Sequence, residues 1–301
     1  MANGGAHIGD LVWPEVRLGD TKLERSDLAT WLDEAGLPLE WAPPEPSGQK
    51  AFGRALSHCR NLEAAPNISI ERESLRSRVA LVRHHTGSGL EKSTSTWARI
   101  SVSDFDELET EWSSDSNVQD AIDGTVSSTV LAHAKVAIAT LTAEHERHLR
   151  FTDSQELGSM VTTVVQHHLG GIRIRRDGGL YFVSAAEGNR LRAFASVVRR
   201  AGDSRLPFMP AFDSAEGRAN LGQSVSDTLH SEVQSVVEGL KKLGSEAKGP
   251  RESSLKRRLD ELDALSNRAE TCRILLSDYS AGIHKAVEAA KGSVLSMMEL
   301  S

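Results

Sequence analysis

The chain has 301 residues, 42 acidic against 35 basic, a formal charge of −7, and 39% hydrophobic content, which suits one large or two modest soluble domains. Its two cysteines, Cys59 and Cys272, exclude a disulfide framework and a four-cysteine metal site. Aromatic residues at 5% favour aliphatic helical packing over an aromatic-rich β-sandwich.

No basic-then-apolar leader opens the chain. The most apolar helical stretch, Val130 to Ala143, is interrupted by His133 and Lys135 and is too short to span a bilayer. A cytoplasmic location without a membrane partner is expected.

In chain order, His7 to Leu18 centres on Trp13-Pro14 and reads as an edge strand or ordered arm. Ser26 caps a helix through Leu28, Trp31 and Leu32 to Gly36, whose position suits a left-handed C-cap. Pro38, Pro43, Pro44 and Pro46 around Trp41 predict extended chain over 37–46, and Ser47 opens a second helix with Phe52, Leu56, Cys59 and Leu62 inward. Val79, Leu81 and Val82, then Trp97, Ile100 and Val102, predict a β-hairpin near 78–103 with a Gly-rich connection from Thr86 to Lys92. The run Gly87 to Thr94 resembles a phosphate loop, but Glu91 stands where glycine must precede the lysine and a strand follows instead of a helix.

The chain then turns acidic, with eight acids from Asp104 to Asp123 and no Lys or Arg between Ser101 and Ala134. One helix is expected from Val118 to Leu149, and another carries Leu157, Met160, Val161, Val164 and Leu169. A second hairpin follows near 172–184, where Ile172-Arg173-Ile174-Arg175 alternates and Asp177-Gly178-Gly179 turns. A helix over 185–201 and an extended link at Pro207 and Pro210 lead to a long helix from Ser214 to Gly244.

After the breaker Gly249-Pro250, Arg251 to Ser301 reads as one long helix. Leu262, Ala269, Leu276, Ile283, Ala290 and Met297 recur every seven residues along it, a seam that demands a partner helix. The fold expected is α+β and predominantly helical: two short β-hairpins plus a long C-terminal antiparallel helical hairpin of coiled-coil type. The expected division is a mixed region 1–213 and a helical hairpin 214–301. The seam outlasts its partner helix, so a homo-oligomer is expected, with Leu276, Ile283, Ala290 and Met297 at the interface.

Two stretches carry a family resemblance: Leu37 to Leu56, with Trp-x-Pro-Pro-x-Pro before Ala-Phe-x-Arg-Ala-Leu, and the hairpin Gly171 to Val183. They resemble an uncharacterised bacterial and phage family, a domain of unknown function. That resemblance implies a prokaryotic or phage setting and transfers no site residues.

His145 and His148, three apart on a helix, could share a metal with Asp153, but they lack the four-residue histidine spacing of a zinc-protease helix. No metal, cofactor or catalytic residue is expected. Charge segregation is the strongest functional clue. From Gly171 to Arg205 eight bases stand against three acids, and from Lys241 to Arg258 seven against two, a net of +5 in each. Arg173 with Arg175 on a strand face, Arg192 with Arg199 on a helix face, and Lys248, Arg251, Lys256, Arg257 and Arg258 at the helical tip are the candidate phosphate contacts. The expected function is a non-enzymatic oligomeric binding protein that contacts DNA or RNA. The alternative is a structural adaptor that binds a protein partner through its coiled coil.

Overall fold

A computed structural model describes residues 6–59, 67–74, 77–86, 93–124, 129–174, 179–244, 251–272, 275–276 and 280–299. The elements are β1 (His7–Val12), α1 (Arg25–Glu34), α2 (Gly48–His58), β2 (Ile68–Arg72), β3 (Val79–Thr86), β4 (Ser93–Val102), β5 (Leu108–Trp112), α3 (Ser116–Ile122) and α4 (Thr129–Arg150). They continue with α5 (Ser154–Thr163), which runs into a π-helical turn (Val164–His168), β6 (Ile172–Arg173), β7 (Tyr181–Ser184), α6 (Gly188–Arg199), β8 (Phe208–Phe212), α7 (Ala215–Gly244), α8 (Glu252–Thr271) and α9 (Ser280–Glu299). The fold is α+β and rich in helix, as expected.

The compact units do not follow the expected division at residue 213. One comprises Met1–Ala42 with Ser154–Ser301, and the other is Pro43–Asp153, inserted within it.

In the inserted unit, β2, β3, β4 and β5 form an antiparallel meander in sequence order. The hairpin expected near 78–103 is its central pair, with Ala80 opposite Ile100 and Val82 opposite Ala98. Ile68, Ile70, Ala80, Val82, Ala98, Ile100 and Val102 bury one sheet face in a core with Phe52 and Leu56 of α2 and Leu131, Ala134, Ala137 and Leu141 of α4. A bulge between Val82 and Arg83, whose partners are Ala98 and Thr96, leaves Trp97 as the extra residue. This interruption of the two-residue period lets Trp97 and Ala98 both be buried. The helix expected from Val118 to Leu149 is two helices, because the first stops at Asp123 and Gly124 takes a left-handed φ of 74°.

In the larger unit the sheet order is β8-β1-β7-β6. Strand β1, expected at an edge or in an arm, lies in the interior, bonded to β8 on one side and β7 on the other. One edge of the sheet is β8, and it contains Pro210, which has no N–H to offer a further strand. A Cβ on Gly9 would sit 2.3 Å from the Val183 carbonyl oxygen, so the close approach of β1 to β7 requires glycine.

Both sheet faces are covered, which explains why all four residues of β7 are buried. On one face Val12, Tyr181 and Val183 pack with α1, α5 and α6 through Leu28, Leu32, Leu157, Val161, Leu191, Phe194 and Val198. On the other, Ile172, Phe182 and Ala211 pack against α7, α8 and α9.

The C-terminal region departs most from expectation. The single helix expected over 251–301 is interrupted: α8 ends at Thr271 with Cys272 as its C-cap, and α9 begins at Ser280. Lys291 lies 2.8 Å from Asp263 and His284 3.9 Å from Glu270, so α9 runs antiparallel to α8. Arg268 bonds Glu232, and Arg258 abuts Gly239, so α8 is likewise antiparallel to α7. The result is a three-helix bundle. Its core holds Leu262, Ala269, Leu276, Ile283 and Ala290, with Met297 packed beside it. The seam is thus covered within one chain, and the argument from it to an oligomer interface at Leu276, Ile283, Ala290 and Met297 does not hold.

Candidate functional site

Arg175 and Lys248 lie outside the described residues, as does the phosphate-loop-like run 87–92. Of the other basic candidates, Arg173 and Arg192 are engaged locally. The Arg173 guanidinium lies 5.7 Å from the Tyr181 ring centre and donates to its hydroxyl at 3.3 Å, so it is half-buried against its own hairpin. Arg192 covers the Phe208 ring at 5.5 Å and lies 3.8 Å from the buried carboxylate of Asp10. Neighbouring arginines follow the same pattern. Arg190 stacks on Trp41 and pairs with Glu187, and Arg200 stacks on Trp31 and pairs with Glu34. Guanidinium groups here roof aromatic rings of the core and meet nearby acids. Arg199 is exposed at the end of α6.

The helical tip gathers more exposed cations. Lys241 and Lys242 are exposed in the last turn of α7, and Arg251, Lys256 and Arg257 are exposed at the start of α8. A Cβ on Gly239 would lie 2.8 Å from Arg258 Nη2, which places the two helix ends side by side. Arg258 itself donates to Glu261 Oε2 at 2.6 Å and is only 24% exposed, while Arg257 is 66% exposed and 3.7 Å from the same carboxylate. Arg258, a candidate phosphate contact in the sequence, thus has a local partner in Glu261, one turn on.

Beside the tip, a cleft of about 660 Å³ lies between the π-helical turn and the α7–α8 pair. Its charged lining comprises Glu187, Glu232, Asp260 and Glu261 against Arg257 and Arg268, with His167 and His168 at one wall. An acidic majority disfavours phosphate there. His168 stacks on Trp41 at 5.4 Å, and burial lowers its pKa, so it stays neutral near pH 7.

In the inserted unit, His58, Glu144 and His148 bring one ligand atom each within 4.8 Å of one another, the one such trio of metal-ligating side chains among the described residues. The histidine and acid weighed as partners of His148 in the sequence are not the ones that meet it here. His145 is buried with Nε2 2.8 Å from the Asp106 carbonyl, and Asp153 faces Arg54 at 3.8 Å. Sequence reasoning misses His58 and Glu144 because the first is 86 residues or more from the other two members of the trio. The i,i+4 pair Glu144 and His148 is the only local signal. Among the described residues no helix is long and apolar enough to cross a membrane.

A model of a family of unknown function, DUF6744, matches residues 7–300. The chain belongs to the DUF6744 family. Membership covers both compact units, so the inserted unit is part of the family's architecture. No curated protein and no solved structure matches the chain.

Proposed function

We propose that this DUF6744 protein is a non-enzymatic binding protein that contacts nucleic acid through the basic end of its C-terminal bundle. The observation that carries the reading is the convergence of Lys241, Lys242, Arg251, Lys256 and Arg257, all exposed, where the end of α7 meets the start of α8. Lysines in the last turn of α7 suit the partial negative charge of a helix C-terminus, so local electrostatics accounts for them. Arg251, the N-cap of α8, opposes the helix dipole by about 0.3–1 kcal/mol, so its placement is better explained by an external anion. Arg173 and Arg192 no longer count as phosphate ligands because they serve the fold, and Arg258 contributes through Glu261 to the tip's local structure. Nothing in the reading needs a second copy of the chain.

The interaction expected is with the phosphate backbone, because exposed lysine and arginine without a groove-fitting helix or aromatic platform read charge and not sequence. Fluorescence anisotropy with labelled single- and double-stranded DNA and RNA at low salt tests this. Binding to all with little preference for sequence is expected. A parent protein that binds none of them overturns the reading and assigns the tip to an acidic protein surface.

A further inference from the structure

We propose that His58, Glu144 and His148 form a site for a divalent transition metal of the zinc class, and that Arg147 occupies it when the metal is absent. The inference concerns the inserted unit and is independent of nucleic-acid binding at the bundle tip.

The three ligands come from two helices that pack together over one core. His58 is the last residue of α2, and Glu144 and His148 stand one turn apart near the end of α4. Two histidines and one carboxylate suit first-row divalent ions such as zinc, with water completing the coordination shell. Ligand atoms about 2.1 Å from a tetrahedral ion are roughly 3.4 Å apart. The atoms here fall within 4.8 Å, and His148 Nε2 and Glu144 Oε2 are 3.9 Å apart, so closure around an ion needs the ligand atoms to draw together by about 1 Å.

The hydrogen bonds select the atoms a metal needs. His58 Nδ1 lies 3.2 Å from the Arg54 carbonyl oxygen, which only accepts, so Nδ1 carries the proton and Nε2 the lone pair. A backbone carbonyl behind a ligating histidine is the usual outer-shell arrangement that fixes its tautomer. His148 Nε2 lies 3.2 Å from Arg147 Nη2, which only donates, so this nitrogen too presents a lone pair. His148 is 3% exposed, which holds its ring in place, and the two imidazole centres are 5.3 Å apart.

Arg147 lies against the same ligand atoms. Its guanidinium donates to Glu144 Oε2 at 2.8 Å and to His148 Nε2, so a cation already bridges two of the three ligand atoms. At 38% exposure this long side chain can turn out to solvent, which a fully buried arginine could not. Metal entry and Arg147 departure are therefore one exchange of cations. A simple surface ion pair would account for Arg147 and Glu144 but not for a second imidazole, that of His58, with a ring nitrogen within 4.8 Å of the other two ligand atoms.

The test uses the full-length protein and cobalt(II), whose visible absorption reports bound imidazole and carboxylate, with zinc competition and the thermal midpoint as second readouts. The parent should bind cobalt, lose the absorption to zinc, and melt at higher temperature with either ion. His58→Ala and Glu144→Ala, both at solvent-accessible positions, should each weaken binding at least about tenfold, since even outer-shell partners contribute that much. Arg147→Gln should tighten binding several-fold by removing the competing cation. A parent that binds neither ion, or binding that both alanine variants leave intact through others of the eleven histidines, overturns the proposal.

Discussion

Arg268 of α8 donates two hydrogen bonds to Glu232 of α7, 2.6 Å from Nη1 to Oε2 and 3.4 Å from Nη2 to Oε1. The same Nη2 lies 3.3 Å from the Gly171 carbonyl oxygen, so one guanidinium ties the bundle to the segment entering the sheet. Arg268 is 13% exposed and Glu232 36%, which places the pair between a screened surface bridge and a buried one. Arg268→Ala should lower stability by roughly 1–3 kcal/mol in urea denaturation. Arg268→Lys should recover only part of it, because a lysine cannot form the two parallel bonds. Equal stability of Arg268→Ala and parent would show that the pair is not a fastening.

Ile283 is fully buried among the bundle side chains. Ile283→Ala should cost about 2–5 kcal/mol, and Ile283→Asp should unfold the bundle by burying a charge. Light scattering on the folded Ile283→Ala variant should give the parent's mass. A drop in assembly state for that variant would restore the intermolecular seam.

How the seam misleads is instructive. The seven-residue series runs in phase from Leu262 through Leu276 to Met297, and neither Gly nor Pro interrupts 272–280. Side chains spaced for one straight helix equally suit two antiparallel helices that both face α7, since each needs only its own stripe buried. The break is marked faintly by Ser277, Asp278 and Ser280, helix-starting residue types inside the series. Local patterns elsewhere are legible: Gly36 ends α1 with a φ of 66°, and the alternation at Ile172 and Arg173 is a strand. What no local pattern carries is long-range pairing. His7–Val12 finds Phe208–Phe212 and Tyr181–Ser184 across most of the chain, and His58 finds Glu144 and His148 only once α2 packs on α4. The basic candidates are legible as charges, but whether each guanidinium meets solvent or a ring depends on Trp41, Trp31, Phe208 and Tyr181, placed by that same packing.

Burial lowers the pKa of His84, His148 and His168. Each binds a proton less readily folded than unfolded, so its contribution to stability is complete above the unfolded value of about 6.5 and is lost as pH falls through the lower folded value. The thermal midpoint should therefore decline below about pH 6.5, and His148→Gln should decline less steeply over the same range. An acid profile identical in the two proteins would remove His148 from the account.

Burial also raises both thiols, Cys59 to about 11 and Cys272 to about 12. Neither forms appreciable thiolate at about pH 8. Iodoacetamide should modify both slowly in the native protein and rapidly in urea, with peptide mass spectrometry following each site. Rapid native labelling of Cys272 would contradict its place inside the bundle.

The most direct measurement is the salt dependence of nucleic-acid affinity for the parent and for a variant carrying Lys241→Gln, Lys242→Gln, Lys256→Gln and Arg257→Gln. The account predicts that log affinity falls linearly with log salt. It also predicts that the variant's slope is shallower by about 0.7–0.9 for every phosphate it no longer neutralises, similarly for all sequences. An unchanged slope in this variant, or an equal loss from Arg192→Gln with Arg173→Gln, would contradict the assignment of binding to the bundle tip.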